Sequence, residues 1–241
     1  MDFAERVIPG ITSNYMLKQS LARYAFAYKI IKNKKIILDA ACGTGYATTG
    51  VGIDNDPEAI AFAQKHYKAK YILGDVLKIP FEDKHFDAVT SFETIEHVNA
   101  KSFLAEVKRV LKKNGVLVLS TPRKNGPSNS PYHVKEFSSS ELKGLLKKYF
   151  KSVKIYGQGS SKNAQKAWED FLDSQESREK LIGFDLLSFC KFLPKELKEH
   201  IWKYFGNLFS KRKTQEGLTE KDFPINGNID SCQTLIAVCS Q

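Results

Sequence analysis

The stretch Ile37-Leu38-Asp39-Ala40-Ala41-Cys42-Gly43-Thr44-Gly45-Tyr46, followed by Val51-Gly52-Ile53-Asp54-Asn55-Asp56-Pro57, decides the fold. Residues 35–40 carry an almost unbroken apolar core, as a strand buried on both faces does. The glycines at 43 and 45 let backbone approach a ligand closely, and N–H donors turned toward it suit an anionic group. Val51 to Ile53 is a second buried strand, ending at Asp54, an acid placed to accept from two ribose hydroxyls. Asp56 caps a helix with Pro57 at its first position and Ala59, Ile60 and Ala63 on its inner face. Strand, glycine turn, strand and acid together describe a nucleoside-binding α/β unit. Nicotinamide dinucleotides use a related loop, so the turn alone does not name the ligand.

Working outward, short apolar runs alternate with segments of helical period, which is the sequence form of a doubly wound sheet. Further strands are expected at 71–73, 86–89, 116–119, 153–155 and 235–238. A helix opens near Asn99, repeats Phe103, Leu104, Val107 and Leu111 at three-to-four spacing, and stops around Asn114-Gly115. Another is capped by Ser139 or Ser140, with Leu142, Leu145, Leu146 and Tyr149 inward and Lys143, Lys147 and Lys148 outward. Between 157 and 231 the alternation fails. Trp168, Phe171 and Leu172, then Phe189, Phe192, Leu193, Ile201, Trp202, Tyr204, Phe205 and Phe209, make that stretch too long and too apolar for a surface loop. The expected organisation is a core of residues 1–156 plus 232–241 with an inserted helical cap at 157–231. The cap's expected role is a lid, followed by a dimer surface and a contact with a lipid-linked acceptor at a membrane. One spacing breaks the pattern. Only residues 42–50 separate Ala41 from Val51, whereas a parallel crossover with its helix takes at least about 10–12 residues. A helix of one turn at most fits there.

The 241 residues carry a formal net charge of +10, and the excess is local. Residues 101–154 hold 13 basic groups against only Glu106, Glu136 and Glu141, while the flanking segments balance. A uniformly basic nucleic-acid coat protein is thereby excluded, and room is left for a local anion-binding face. No apolar run approaches the roughly 18–20 residues needed to span a bilayer, and the acidic start Met1-Asp2-Phe3-Ala4-Glu5 lacks a signal-peptide pattern. Cys42, Cys190, Cys232 and Cys239 show no CxxC pairing, so neither a zinc knuckle nor a disulfide framework is indicated. A reduced, cytoplasmic protein is the expectation.

The quoted stretch resembles the first two motifs of class I S-adenosylmethionine-dependent methyltransferases, of the type 11-like group. Gly74-Asp75-Val76 is similar to their adenine-contacting turn. Phe86-Asp87-Ala88-Val89 and Arg109-Val110-Leu111-Lys112-Lys113-Asn114-Gly115 fit their later motifs. The resemblance covers roughly residues 20–156 plus the last strand. It implies a Rossmann-like doubly wound α/β sheet of seven strands, the last antiparallel, with S-adenosyl-L-methionine as cofactor and S-adenosyl-L-homocysteine as product. It also implies cofactor contacts from Asp39, Ala41, Gly43, Gly45, Asp54, Asn55, Asp75, Val76 and Phe92, with Arg23 and Tyr24 closing over the cofactor carboxylate. The short segment after Gly45 departs from the family, whose members place a full helix there, and it bears on how the cofactor's methionine end is anchored.

A narrower likeness runs through Arg23-Tyr24-Ala25-Phe26-Ala27, Ser91-Phe92-Glu93-Thr94-Ile95-Glu96-His97-Val98, Ser120-Thr121-Pro122 and Tyr132-His133-Val134-Lys135-Glu136-Phe137. It is similar to methyltransferases associated with glycan and surface-polysaccharide synthesis. That implies O-methylation of a small or sugar-containing acceptor, with Glu93, His97 and His133 near the transferred methyl and no metal assigned. A histidine suits a general base near neutral pH. A second reading is RNA 2′-O-methylation, since those enzymes share the Glu-x-x-Glu-His core. It implies a divalent metal on Glu93, Glu96, His97 and His133, with residues 101–154 facing phosphate. A third is a non-catalytic cofactor-binding scaffold, motivated by the shortened crossover. The expected partners are a small-molecule or glycan acceptor, a peripheral membrane contact and a second copy in a homodimer; nucleic acid is not favoured.

Overall fold

The structure is a computed structural model and describes residues 7–124, 130–183 and 217–241. In chain order its elements are α1 (Asn14–Ile31), β1 (Ile37–Ala40), β2 (Val51–Asp54), α2 (Pro57–His66), β3 (Lys70–Leu73), β4 (Phe86–Phe92), α3 (Ala100–Val110), β5 (Leu111–Pro122), α4 (Ser139–Leu146), β6 (Ser152–Gln158), α5 (Lys162–Gly183), β7 (Ile225–Asn226) and β8 (Thr234–Ser240). The strands form one sheet in the order β3-β2-β1-β4-β5-β8-β6-β7. β1 pairs in parallel with β2 and β4, while β8 runs antiparallel to both β5 and β6. The antiparallel last strand is as expected. An eighth strand is added by β7, two residues paired with Gly157 and Gln158 at the sheet edge.

Period-two alternation sends neighbouring residues of one strand to opposite layers. In β5, Leu117 and Leu119 face a core completed by Phe103, Leu104 and Val107 of α3 and by Leu142 and Leu146 of α4. Val118, between them, faces the other layer with Ala27 and Ile31 of α1 and with Phe92 and Ile236. Asp56 caps α2 by accepting from Glu58 N and Ala59 N, and Ala59, Ile60 and Ala63 are buried as their spacing requires. The last helix before the insert is capped by Ser138, in a capping box with Glu141, rather than by Ser139 or Ser140.

Three expected boundaries move. α3 ends at Val110, not near Asn114, because Leu111 is already extended and pairs with Phe86 of β4. The sheet takes residues 157–158 and 225–226 from the span expected as cap. At the cap's start, Ala164, Ala167 and Trp168 of α5 pack with Tyr15, Met16 and Ala22 of α1 and with Leu218 and Phe223. The aromatic residues from Phe189 to Phe209 lie outside the described residues.

The crossover from β1 to β2 contains no helix. Two turns make it, with Gly45 N–H donating to Cys42 O (3.0 Å) and Thr48 N–H to Gly45 O (3.3 Å). Tyr71 of β3 lies over the ladder, its OH donating to Gly45 O at 2.8 Å. It joins Cys42, Ile60 and Ala63 in a small apolar cluster. A Cβ on Gly52 would meet Cys42 Sγ at 2.7 Å and Tyr71 Cδ1 at 2.8 Å, so the tyrosine and the thiol fill the space directly above β2.

Candidate active site

A cavity of about 650 Å³ opens at the carboxyl ends of the neighbouring strands β1 and β4, the edge of the sheet at which open α/β folds bind ligands. Twelve of the fourteen expected site residues line it: Arg23, Tyr24, Ala41, Gly43, Asp54, Asn55, Asp75, Val76, Phe92, Glu93, His97 and His133. Asp39 and Gly45 do not. Asp39 lies one layer beneath, accepting from Tyr24 OH (3.1 Å), Thr48 Oγ1 (2.6 Å) and Thr90 Oγ1 (3.0 Å). It thus ties α1, the glycine turn and β4 together, and its burial raises its pKa despite those three donors. Gly45 is pressed against Tyr71 and Ala63 on the far side of the turn.

At one end of the cavity the turn puts Ala41, Gly43 and Gly45 at φ 61°, 53° and 74°. Glycine adopts that left-handed region freely, whereas Ala41 is strained by roughly 1–2 kcal/mol. Asp54 holds the turn in this shape, with Gly43 N–H donating to Oδ2 at 2.8 Å and Asp56 N–H to Oδ1 at 3.0 Å. Thr44 Oγ1 donates to Val7 O at 2.8 Å, which brings the chain before α1 across the turn. Asp75 borders the same end and accepts from Leu77 N at 2.8 Å, so it is at once a cavity residue and a turn cap. Arg23, buried, donates from NH1 to Gln158 Oε1 at 3.1 Å, and its Nε has no hydrogen-bond partner.

At the other end stands the turn that follows β4. Glu93 has φ 51°, a left-handed conformation that glutamate rarely takes, and it is held there by Glu93 N–H donating to Ser120 O at 3.1 Å. Ser120 Oγ donates back to the Glu93 carboxylate, and Arg23 NH1 stands 4.0 Å from it. Glu96 is fully buried; its Oε2 accepts from Thr121 Oγ1 at 3.0 Å, while its Oε1 has no hydrogen-bond partner. Burial, reinforced by the charge of Glu93, raises the Glu96 pKa well above the usual carboxylate range. The backbone of Glu96 accepts from Val134 N (2.7 Å) and Lys135 N (3.1 Å), which pins the segment carrying His133 onto this turn. Since a carbonyl or carboxylate oxygen can only accept, His97 Nδ1 donates to Tyr132 O (3.1 Å) and His133 Nδ1 to Glu136 Oε1 (2.8 Å). The two imidazole rings meet edge to face, 4.9 Å between centroids.

Sequence reasoning missed Cys42, Thr44, Tyr46 and Ser20 as cavity residues. Tyr46 OH pairs with Ser20 Oγ, and its ring lies edge-on to Tyr24. The signal for Tyr46 was present in its position directly after the second glycine. That for Ser20 was not, because it depends on how α1 is laid across the turn. Among the described lysines and arginines, only Arg23 lines the cavity; none of the basic residues of 101–154 that carry the excess charge does.

Residues 38–119 match the family model described as a methyltransferase domain. A probable S-adenosylmethionine-dependent methyltransferase of Mycolicibacterium smegmatis is 31% identical over 163 residues, which are 59% of this chain and 62% of that one. The chain spans about three-fifths of the length of the curated relatives it matches first. Among solved structures, a possible histamine N-methyltransferase from Thermotoga maritima superposes with a TM-score of 0.62 at 15% identity, covering 94% of this chain and 92% of that one. A [4+2]-cyclase superposes with a TM-score of 0.57 at 16% identity, covering 97% and 84%, so the fold by itself does not fix the reaction. The sheet order and the glycine turn with its acid accompany the methyltransferase-domain match over 38–119, and together they make the chain similar to class I S-adenosylmethionine-dependent methyltransferases.

Proposed function

We propose that the protein transfers a methyl group from S-adenosylmethionine to an oxygen of a small or sugar-containing acceptor. The observation that carries this reading is a single cavity with two chemically distinct ends. The glycine turn, Asp54, Asn55 and Asp75 border one, and Glu93, His97 and His133 border the other. At the first end Asp54 accepts from the ribose hydroxyls while its backbone donors keep the turn open. Asp75 and Val76 lie against the adenine, and Arg23 with Tyr24 takes the carboxylate end.

The sulfonium is already activated, so the protein's work is to align donor and acceptor in line and to remove one proton. Both histidines donate from Nδ1, which leaves Nε2 as the nitrogen with the lone pair in the neutral ring. Phe92 and Tyr24 pack edge to face at 4.8 Å, and both line the cavity. The absence of lysine from the described lining supports a small acceptor over a phosphate backbone.

The test is calorimetric titration of the full chain with S-adenosylhomocysteine, then a methyl-transfer screen over hydroxylated acceptors including nucleotide sugars. Binding followed by transfer to a hydroxyl supports the reading. Binding with transfer only to amines overturns the oxygen assignment, and no binding overturns the whole.

A further inference from the structure

We propose that Gln158, the last residue of β6, is a positioning residue that sets the Arg23 guanidinium to receive the carboxylate of the cofactor. This role rests on the reading of the cavity as a cofactor site, in which Arg23 takes the amino-acid end. Gln158 is fully buried and does not line the cavity, whereas Arg23, 6% exposed, does. In the sheet Gln158 stands between Thr234 of β8 and Ile225 of β7. Its side-chain amide reaches α1 twice. Oε1 accepts from Arg23 NH1 at 3.1 Å, and Nε2 donates to Gln19 O at 2.8 Å. Those two residues lie about one helical turn apart, so a single amide fixes both the backbone of α1 and the direction of the arginine.

What remains on Arg23 suits a receptor for an anion. Its Nε is buried and has no hydrogen-bond partner. Among the described residues the carboxylate offered to it is that of Glu93, which stands at 4.0 Å, beyond hydrogen-bond range, and already accepts from Ser120. A buried N–H without an acceptor is costly, most of all on a charged group, and an incoming carboxylate removes that cost. A guanidinium carries its donors in a rigid fork, so one serves Gln158 while others bind the ligand.

The chemistry of the partner matters as much as its place. An amide accepts from the guanidinium without cancelling its charge, whereas a carboxylate at position 158 would neutralise it and compete with the ligand. In a buried setting the positive charge that remains acts more strongly on an anion than it would in water. Gln158 thereby ties the placing of one cofactor group to the half of the sheet beyond β5, outside the matched domain at 38–119.

The test is calorimetry of the full chain with S-adenosylhomocysteine and with 5′-methylthioadenosine, which keeps the adenosine and the sulfur but lacks the amino-acid end. Gln158→Met removes the acceptor at similar size. The expected result is S-adenosylhomocysteine affinity weakened roughly tenfold or more, with methylthioadenosine affinity unchanged within about twofold. In an Arg23→Met chain, adding Gln158→Met should change S-adenosylhomocysteine affinity by less than about twofold, because the residue acts through the arginine. Equal losses for both ligands, additive losses in the double variant, or no loss overturn the role. Should Gln158→Met fail to fold, Gln158→Glu decides by the same comparison of ligands. If the unsubstituted chain binds methylthioadenosine as tightly as S-adenosylhomocysteine, the role is overturned while the cofactor site stands. Binding of neither ligand overturns the cofactor reading and this role together.

Discussion

Asp54 is the residue on which the proposed cofactor end depends most, because in that reading one carboxylate does two jobs. It holds Gly43 N–H and Asp56 N–H, and in the proposed complex it also accepts from the ribose. Replacing it with alanine removes the ligand contact and frees the turn together, so S-adenosylhomocysteine affinity measured by calorimetry should fall at least tenfold; an unchanged affinity contradicts the assignment. Gly45 is required for a different reason. It has φ 74°, and a Cβ there would meet Tyr71 Cε1 at 2.5 Å and Ala63 Cβ at 2.9 Å. Left-handed strain and overpacking add, so Gly45→Ala should lower unfolding free energy by about 2–4 kcal/mol in urea. A loss under 1 kcal/mol would mean the turn can move away from Tyr71. The sequence makes Asp54 legible because a strand ends on it. It does not disclose that Asp39 turns inward to bind Tyr24, Thr48 and Thr90, since that depends on how α1 and β4 are laid against the turn.

At the scale of elements, Arg109 fastens α3 to the connection between β3 and β4. Its guanidinium donates to Glu106, Asp83, Phe81 O and Ile79 O at 2.8–2.9 Å. A lysine cannot reproduce that fork, so Arg109→Lys should cost about 1–3 kcal/mol by chemical denaturation, and a cost near zero would show the connection is held otherwise. The same pairing sets a pH dependence. The Glu106 carboxyl is held below its usual range first by hydrogen bonding to Arg109, and that of Asp87 by hydrogen bonding to Lys112. A pKa lowered in the folded state contributes stability above the unfolded carboxylate pKa and loses it as pH falls through the folded value. The urea midpoint should therefore drop from neutral pH to below the carboxylate range, and Glu106→Gln should narrow the drop; an equal drop in both proteins would rule Glu106 out as a source. Helix starts are legible here because caps are local: Asp56 and Asn99 announce themselves, and the serine run before α4 places its start to within a residue or two, the cap being Ser138. The end of α3 was not, because Leu111 keeps the helical apolar spacing yet is claimed by Phe86 across the sheet.

For the whole molecule, the alternation of strands and helices announces the doubly wound sheet and the apolar period assigns each face, while the antiparallel last strand follows from the family resemblance. What periodicity could not supply is how a parallel crossover is made without its helix. The structure answers with side chains from outside the crossover. Tyr71 covers the strand, Asp39 ties down Thr48, and Val7 and Ser20 reach the turn through Thr44 and Tyr46. The local excess of positive charge lies downstream of the glycine turn and its acids and away from the described cavity lining, so the end proposed for the acceptor carries carboxylates and imidazoles. If the crossover without its helix still holds the cofactor, titration calorimetry of the full chain with S-adenosylhomocysteine will register it. Binding of one equivalent, weakened at least tenfold in Asp54→Ala, is the expected result; no measurable binding to the folded chain would show that this turn does not hold the cofactor.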